Sequence, residues 1–189
     1  MTDTSKLIEI RWHGRGGQGS VTSAELVAMA AIAEGKYAQA FPAFGPERRG
    51  APVLAFNRIR ASGVIRVRAE VTEPDIVLVL DPGLLAVARV TAGLKERGAL
   101  IINTKKNADT LFAEYGGKYR IVTVDATRIA HEVLGVPIVN TTMVGALLKV
   151  TDIVQMDSLI EPIKHRFGRL ADKNVAAMKR AYEEAIVKE

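Results

Sequence analysis

Ile10-Arg11-Trp12-His13-Gly14-Arg15-Gly16-Gly17-Gln18-Gly19 is the stretch on which the reading of this chain turns. Residues 7–13 alternate apolar and polar side chains with the period of two that belongs to a strand, and they run straight into glycine-rich sequence. Residues 18–34 then form an apolar, Ala-rich segment of helical character. Strand, glycine loop and helix in that order open an α/β sheet. Glycines at such a junction let backbone N–H groups and the positive end of the helix dipole face an anion. Gly14, Arg15, Gly16, Gly17, Gln18 and Gly19 are therefore candidate contacts for a phosphate or pyrophosphate. The spacing is not that of a dinucleotide fingerprint: Gly19 comes one place early for G-x-G-x-x-G, and residues 38–41 offer no acid to close a second strand. The same glycines also suit tight strand–helix packing with no ligand, and both readings stay open.

The alternation continues outward. Residues 53–60 and 64–69 read as two strands joined at Ala61-Ser62-Gly63, an antiparallel hairpin. Asp75-Ile76-Val77-Leu78-Val79-Leu80 is the near-continuous apolar run of a strand covered on both faces. A helix over 83–93, a strand over 99–103, a helix over 108–115, a strand over 120–124 and a helix over 126–134 repeat the pattern. Helices over 141–150 and 158–167 follow, the second with Ser158 and Glu161 spaced as a capping box. An amphipathic helix over 173–187 closes the chain. With no repeat and no linker, residues 1–189 are expected to form a single three-layer α/β/α domain with a mostly parallel sheet and an antiparallel hairpin.

Composition removes several classes of function. Apolar residues are 48% and charged residues 25%, a globular balance. No apolar run approaches the roughly 18 residues of a membrane span, and Met1 leads within a few residues into the first strand, so a cytoplasmic protein with no membrane partner is expected. Cysteine is absent, which excludes disulfides, thiolate-held iron–sulfur clusters and a cysteine nucleophile from this chain. The net charge of +5 suits an anionic ligand, but 21 acids are interleaved with the bases and aromatics are only 5%, so no nucleic acid is expected. No nucleophile elbow, Walker loop or zinc pattern occurs, and no catalytic residue is assigned.

A second constellation is Phe41-Pro42-Ala43-Phe44-Gly45-Pro46-Glu47-Arg48-Arg49-Gly50-Ala51-Pro52, in which proline and glycine stiffen a backbone that displays arginines. Gly45, Glu47, Arg48 and Arg49 are candidates for docking a partner or an anionic cofactor, unless Glu47 merely pairs with an arginine. Asn140 and Thr141 stand before a helix, as caps or as ligand contacts. His13, beside the glycine loop, is a core histidine or a phosphate contact, and Asp81 ends a buried strand as a turn residue or a ligand contact.

The run Ile10 to Gly19, with Gly35-Lys36-Tyr37-Ala38-Gln39-Ala40-Phe41-Pro42 and the constellation that follows, resembles the gamma subunit of pyruvate:ferredoxin oxidoreductases. The likeness extends through Ala55 to Arg60, Ile65 to Ala69, the strand from Asp75 to Asp81 and Asn140 to Leu147, most of the chain. It implies an assembly of alpha, beta, gamma and delta chains that decarboxylates a 2-oxoacid, most often pyruvate, to acyl-CoA and reduces ferredoxin. The branched-chain 2-oxoacid and 2-oxoglutarate enzymes use similar gamma chains, and an autonomous nucleotide-binding module is the rival from another class. Thiamine diphosphate, Mg and iron–sulfur clusters would belong to the companion chains, and this chain would hold none alone. Its glycine loop and the 45–50 segment would lie at the edge facing coenzyme A.

Overall fold

The computed structural model describes residues 6–43, 50–115 and 117–189. The elements run β1 (Ile8–Arg15), α1 (Ser20–Ala33), β2 (Tyr37–Pro42), β3 (Pro52–Arg60), β4 (Ile76–Val79), α2 (Leu84–Val87), β5 (Ala99–Asn103), α3 (Ala108–Tyr115), β6 (Arg120–Val124), α4 (Ala126–Leu134), α5 (Asn140–Leu148), α6 (Ile160–Phe167), α7 (Ala171–Glu184) and β7 (Ile186–Lys188). The seven strands form one sheet in the order β2-β3-β1-β4-β5-β6-β7. β1, β4, β5 and β6 are mutually parallel, β2 and β3 form an antiparallel hairpin beside β1, and β7 returns antiparallel along β6.

Every residue of β4 and β5 is buried, the consequence of covering a parallel strand on both faces. On one face Ile10, Trp12, Leu78, Ile101 and Val122 pack under α1, α4, α5, α6 and α7. On the other, Val77, Val79, Leu100 and Ile102 meet Leu84 of α2 and Leu111 of α3. Trp12 Nε1–H donates to Asn57 Oδ1 (2.8 Å), and Asn57 Nδ2 donates to the Ala24 carbonyl (2.8 Å), which ties α1 to β1 and β3. Satisfying buried polar atoms this way contributes about 1 kcal/mol per bond and fixes the helix position. α5 and α7 approach so closely that a Cβ at Gly145 would lie 2.0 Å from the Met178 carbonyl oxygen.

The second face is apolar under β4 and β5, whereas under β1 and β3 apolar residues such as Leu54 and Phe56 share it with charged ones. Beneath β1 and β3 it carries Glu9, Arg11, His13 and Arg58, and this polar stripe explains two departures from expectation. Residues 64–69 are not a strand: the carbonyls of Val67 and Ala69 accept from Arg58 Nη1 (3.4 and 2.7 Å), and Val71 O from Arg11 Nη1 (3.5 Å), so side chains take the place of a ladder. The hairpin partner of β3 is instead β2, upstream. The helix expected over 83–93 is reduced to α2, because the carbonyls of Val90 and Ala92 turn toward Arg11 Nη2 (3.0 and 2.6 Å).

Two corrections concern the last third. α7 ends at Glu184 and the β-branched Ile186 and Val187 leave it to pair with the open edge of β6. Ser158 does not cap α6: its hydroxyl bonds the Glu34 carboxylate, and Glu161 pairs with Lys164 (2.8 Å).

Candidate functional site

The glycine loop leaves β1 at the carboxyl edge of the parallel strands, where open α/β sheets place their ligands. Gln18 closes it from within: Arg15 N–H donates to Gln18 Oε1 (2.7 Å) and Gln18 N–H to the Arg15 carbonyl (3.0 Å). Asp81, just past β4, latches it from the side. Its Oδ2 accepts from Arg15 Nε and Gln18 Nε2, both at 3.0 Å, while Oδ1 accepts from Gly83 N–H (2.8 Å). Asp81 is thus turn former and latch together. Arg15 Nη1 also donates to the Gly50 carbonyl (3.2 Å), and Gly16 N–H to the Ala51 carbonyl (3.0 Å), so the loop is tied to the entry of β3.

Gly14 and Gly19 are there for packing. A Cβ on Gly14 would sit 2.1 Å from Ser20 Oγ, and one on Gly19 would sit 2.9 Å from Asn140 Cβ and Nδ2. Gly19, the residue before α1, is also left-handed, with φ 84°. Gly17 differs: φ is 96° and nothing lies within 4 Å of where its Cβ would be, so this face of the loop is open. The N–H groups of Gly17, Gly19, Ser20, Val21 and Thr22 find no acceptor among the described residues, and the first bond of the helix is Ser23 N–H to the Gly19 carbonyl (2.9 Å). Ser20 Oγ is buried and likewise unpartnered. Sequence reading passed over Ser20, although a hydroxyl one residue past a glycine run at a helix start was a usable signal.

The structure brings Asn140 against this loop. Ser23 Oγ donates to the carbonyls of Gly19 (3.0 Å) and Asn140 (3.2 Å), joining α1 to α5. Neither expected cap stands before α5: Asn140 is its first residue and its Oδ1 accepts the neighbouring Thr141 N–H (2.8 Å). Thr141 is fully buried and its hydroxyl donates to Asn174 Oδ1 in α7 (2.8 Å). Gly45, Glu47, Arg48 and Arg49 lie outside the described residues. His13 points to the sheet face opposite α1, away from the loop amides. Among the described residues no cluster of His, Asp or Glu could hold a metal, and no helix is long and apolar enough to cross a membrane.

An uncharged donor set at the carboxyl edge of an open sheet, latched by an internal acid, is the arrangement with which α/β domains can face an anion or a carbonyl-rich partner. Comparison with known proteins makes this specific. The model of the pyruvate ferredoxin/flavodoxin oxidoreductase family matches residues 9–184, and the chain belongs to that family as one of its gamma-type subunits. It is 52% identical to the pyruvate/ketoisovalerate oxidoreductases common subunit gamma of Thermococcus litoralis, covering 97% of this chain and 100% of the relative. It is 55% identical to the pyruvate synthase subunit PorC of Methanothermobacter marburgensis, over 94% of this chain and 97% of that one. Among solved structures, the pyruvate oxidoreductase subunit PORC of Thermotoga maritima superposes with a TM-score of 0.86 at 41% identity, covering 98% of this chain and all of that one.

Proposed function

We propose that this chain is a non-catalytic subunit of a 2-oxoacid:ferredoxin oxidoreductase, with pyruvate the principal substrate. It scaffolds the thiamine-binding alpha and beta chains and shapes the coenzyme A side of the cavity. The observation that carries this reading is the open donor set of Gly17, Gly19 and residues 20–22 among the described residues, whose neighbouring cation, Arg15, is already spent on Asp81. Such an edge suits a pyrophosphate or the carbonyls of a neighbouring chain. Gly14, Arg15, Gly16, Gln18, Asn140 and Thr141 build and brace that edge, and Gly45, Glu47, Arg48 and Arg49, outside the described residues, are proposed as further contacts for the same partner or cofactor. Coenzyme A, when bound, supplies the thiol that accepts the acyl group; this chain would position its phosphates. A chain without cysteine cannot supply thiolates for a cluster, so electrons would travel through the beta and delta chains to ferredoxin, with thiamine diphosphate and Mg also held elsewhere.

A second substrate has its own support, since relatives over half identical carry names that join pyruvate with ketoisovalerate. The same gamma chain would then serve a branched-chain enzyme. The test is to isolate the tagged chain from its native lysate and assay both the complex and the free chain. Thiamine-dependent companions and an inert, colourless free chain are expected; turnover of pyruvate by the free chain would end the proposal. Within the complex, Arg48→Ala with Arg49→Ala is expected to weaken assembly or raise the coenzyme A requirement.

A further inference from the structure

His13 is the one histidine of this chain set deep in the sheet, and only half of its ring is used. Its residue surface is 6% exposed, and Nε2 accepts from Arg11 Nε at 3.0 Å. That bond fixes the tautomer: the ring proton sits on Nδ1, which has no hydrogen-bond partner among the described residues. The nitrogen opens on a cavity, so a side chain that is otherwise buried presents a donor to whatever fills that space.

The ring lines a cavity of about 260 Å³ between β1, β3 and α2. Pro52, Leu54, Leu84 and Ala88 supply an apolar wall, and the remaining side chains with charge or donors are Arg11, His13 and Arg89. Among the described lining residues there is no acid. Arg11 is 7% exposed, and among the described residues its guanidinium meets His13 and the carbonyls of Val71, Val90 and Ala92, with no carboxylate in ion-pair range. Backbone dipoles screen such a charge but do not cancel it. Arg89, exposed at the rim, forms no ion pair among the described residues either. The cavity therefore carries positive potential, an idle N–H donor and an apolar wall, with nothing negative of its own.

We propose that this cavity binds a carboxylate on a short apolar stem, with His13 Nδ1–H as its donor, the Arg11 and Arg89 guanidiniums supplying the field, and the stem lying on Pro52, Leu54 and Leu84. The carboxylate is either that of a small free acid or an acidic side chain of a companion subunit. Gly14 borders the cavity as well as the loop, but the groups that would hold the carboxylate lie on the opposite sheet face from the glycine-loop donors, so the site stands whether or not those donors face coenzyme A.

The probe is isobutyrate, with isobutyramide as the neutral isostere, and the readout is the His13 imidazole NMR titration in the full chain and in the assembled complex. A carboxylate beside the ring stabilises the imidazolium, so saturating isobutyrate is expected to raise the His13 titration midpoint by about one pH unit or more, a tenfold preference for the charged ring. Isobutyramide should leave it in place. A rise with isobutyrate in the free chain assigns the site to a small acid; a rise only on assembly assigns it to a companion's acid. Absence of movement in both, or an equal response to the amide, overturns the proposal. Arg89→Ala, on the surface and harmless to folding, should weaken isobutyrate binding severalfold, and His13→Asn, which keeps an N–H donor, should bind better than His13→Phe.

Discussion

Acidification should unfold this protein partly through His13. Burial, reinforced by the positive charge of Arg11, lowers the His13 pKa from 6.5 to about 4. The native state therefore refuses a proton that the unfolded chain accepts throughout that interval, and stability rises with pH wherever the unfolded state binds more protons. The contribution is fully present above pH 6.5 and is lost as pH falls toward about 4, with a total of roughly 3 kcal/mol across the interval. Urea unfolding followed by the fluorescence of Trp12, the single tryptophan, at intervals from pH 7 to 4 in carboxylate-free buffer measures it. His13→Gln removes the titrating ring while other carboxylates and bases keep their own linkage. The difference between the two curves should thus slope by up to about 1.4 kcal/mol per pH unit between 6.5 and 4. Parallel curves would mean that the ring is solvated or already charged in the native state, and the geometry assigned to Arg11 and His13 would be wrong.

Gly14→Ala should destabilise by about 1–2 kcal/mol, because its methyl would lie 2.1 Å from Ser20 Oγ, and Ser20→Ala in the same chain should restore most of the loss in chemical denaturation. Gly145→Ala should cost more, roughly 2–3 kcal/mol, despite the better helix propensity of alanine: the obstacle is the Met178 backbone carbonyl at 2.0 Å, which no rotamer change relieves. Arg58→Leu should free the segment over 64–70, seen as faster amide exchange there with β5 still protected. Arg58 Nε pairs with Glu9 (2.8 Å), and a lysine in its place lacks the fork needed to reach Glu9 and the Ala69 carbonyl together.

The parallel core was plain in the sequence because period and punctuation agreed there. The strands at 99–103 and 120–124 and the helices at 108–115 and 126–134 match their expected bounds. Where the reading failed, a long-range side chain had overruled a local pattern. Val64, Ile65 and Val67 have strand propensity, yet Arg58 collects the carbonyls around them; residues 88–93 have helical spacing, yet Arg11 draws two carbonyls out of line. Neither arginine could be recognised in advance as internal, since charged residues in alternation normally mark the solvated face of a strand. β2 was missed for a related reason, because its pairing with β3 spans a long connection rich in proline and glycine, not a tight turn.

That inversion bears on the function. Covering β1 and β3 with hydrophobic side chains would have been enough to fold the domain, as it is for β4 and β5. Instead the chain buries Arg11 and His13 at the carboxyl half of β1, beside a loop whose own cation is held by Asp81. Buried charge held only by carbonyls contributes little to stability and is costly to desolvate, so its retention needs a reason other than folding. Among the described residues, a cavity with donors and no acid on one face of β1 and a row of free amides at its tip have the same form, and the proposed contacts with a companion subunit or its ligands would supply the negative or carbonyl-rich counterpart of both.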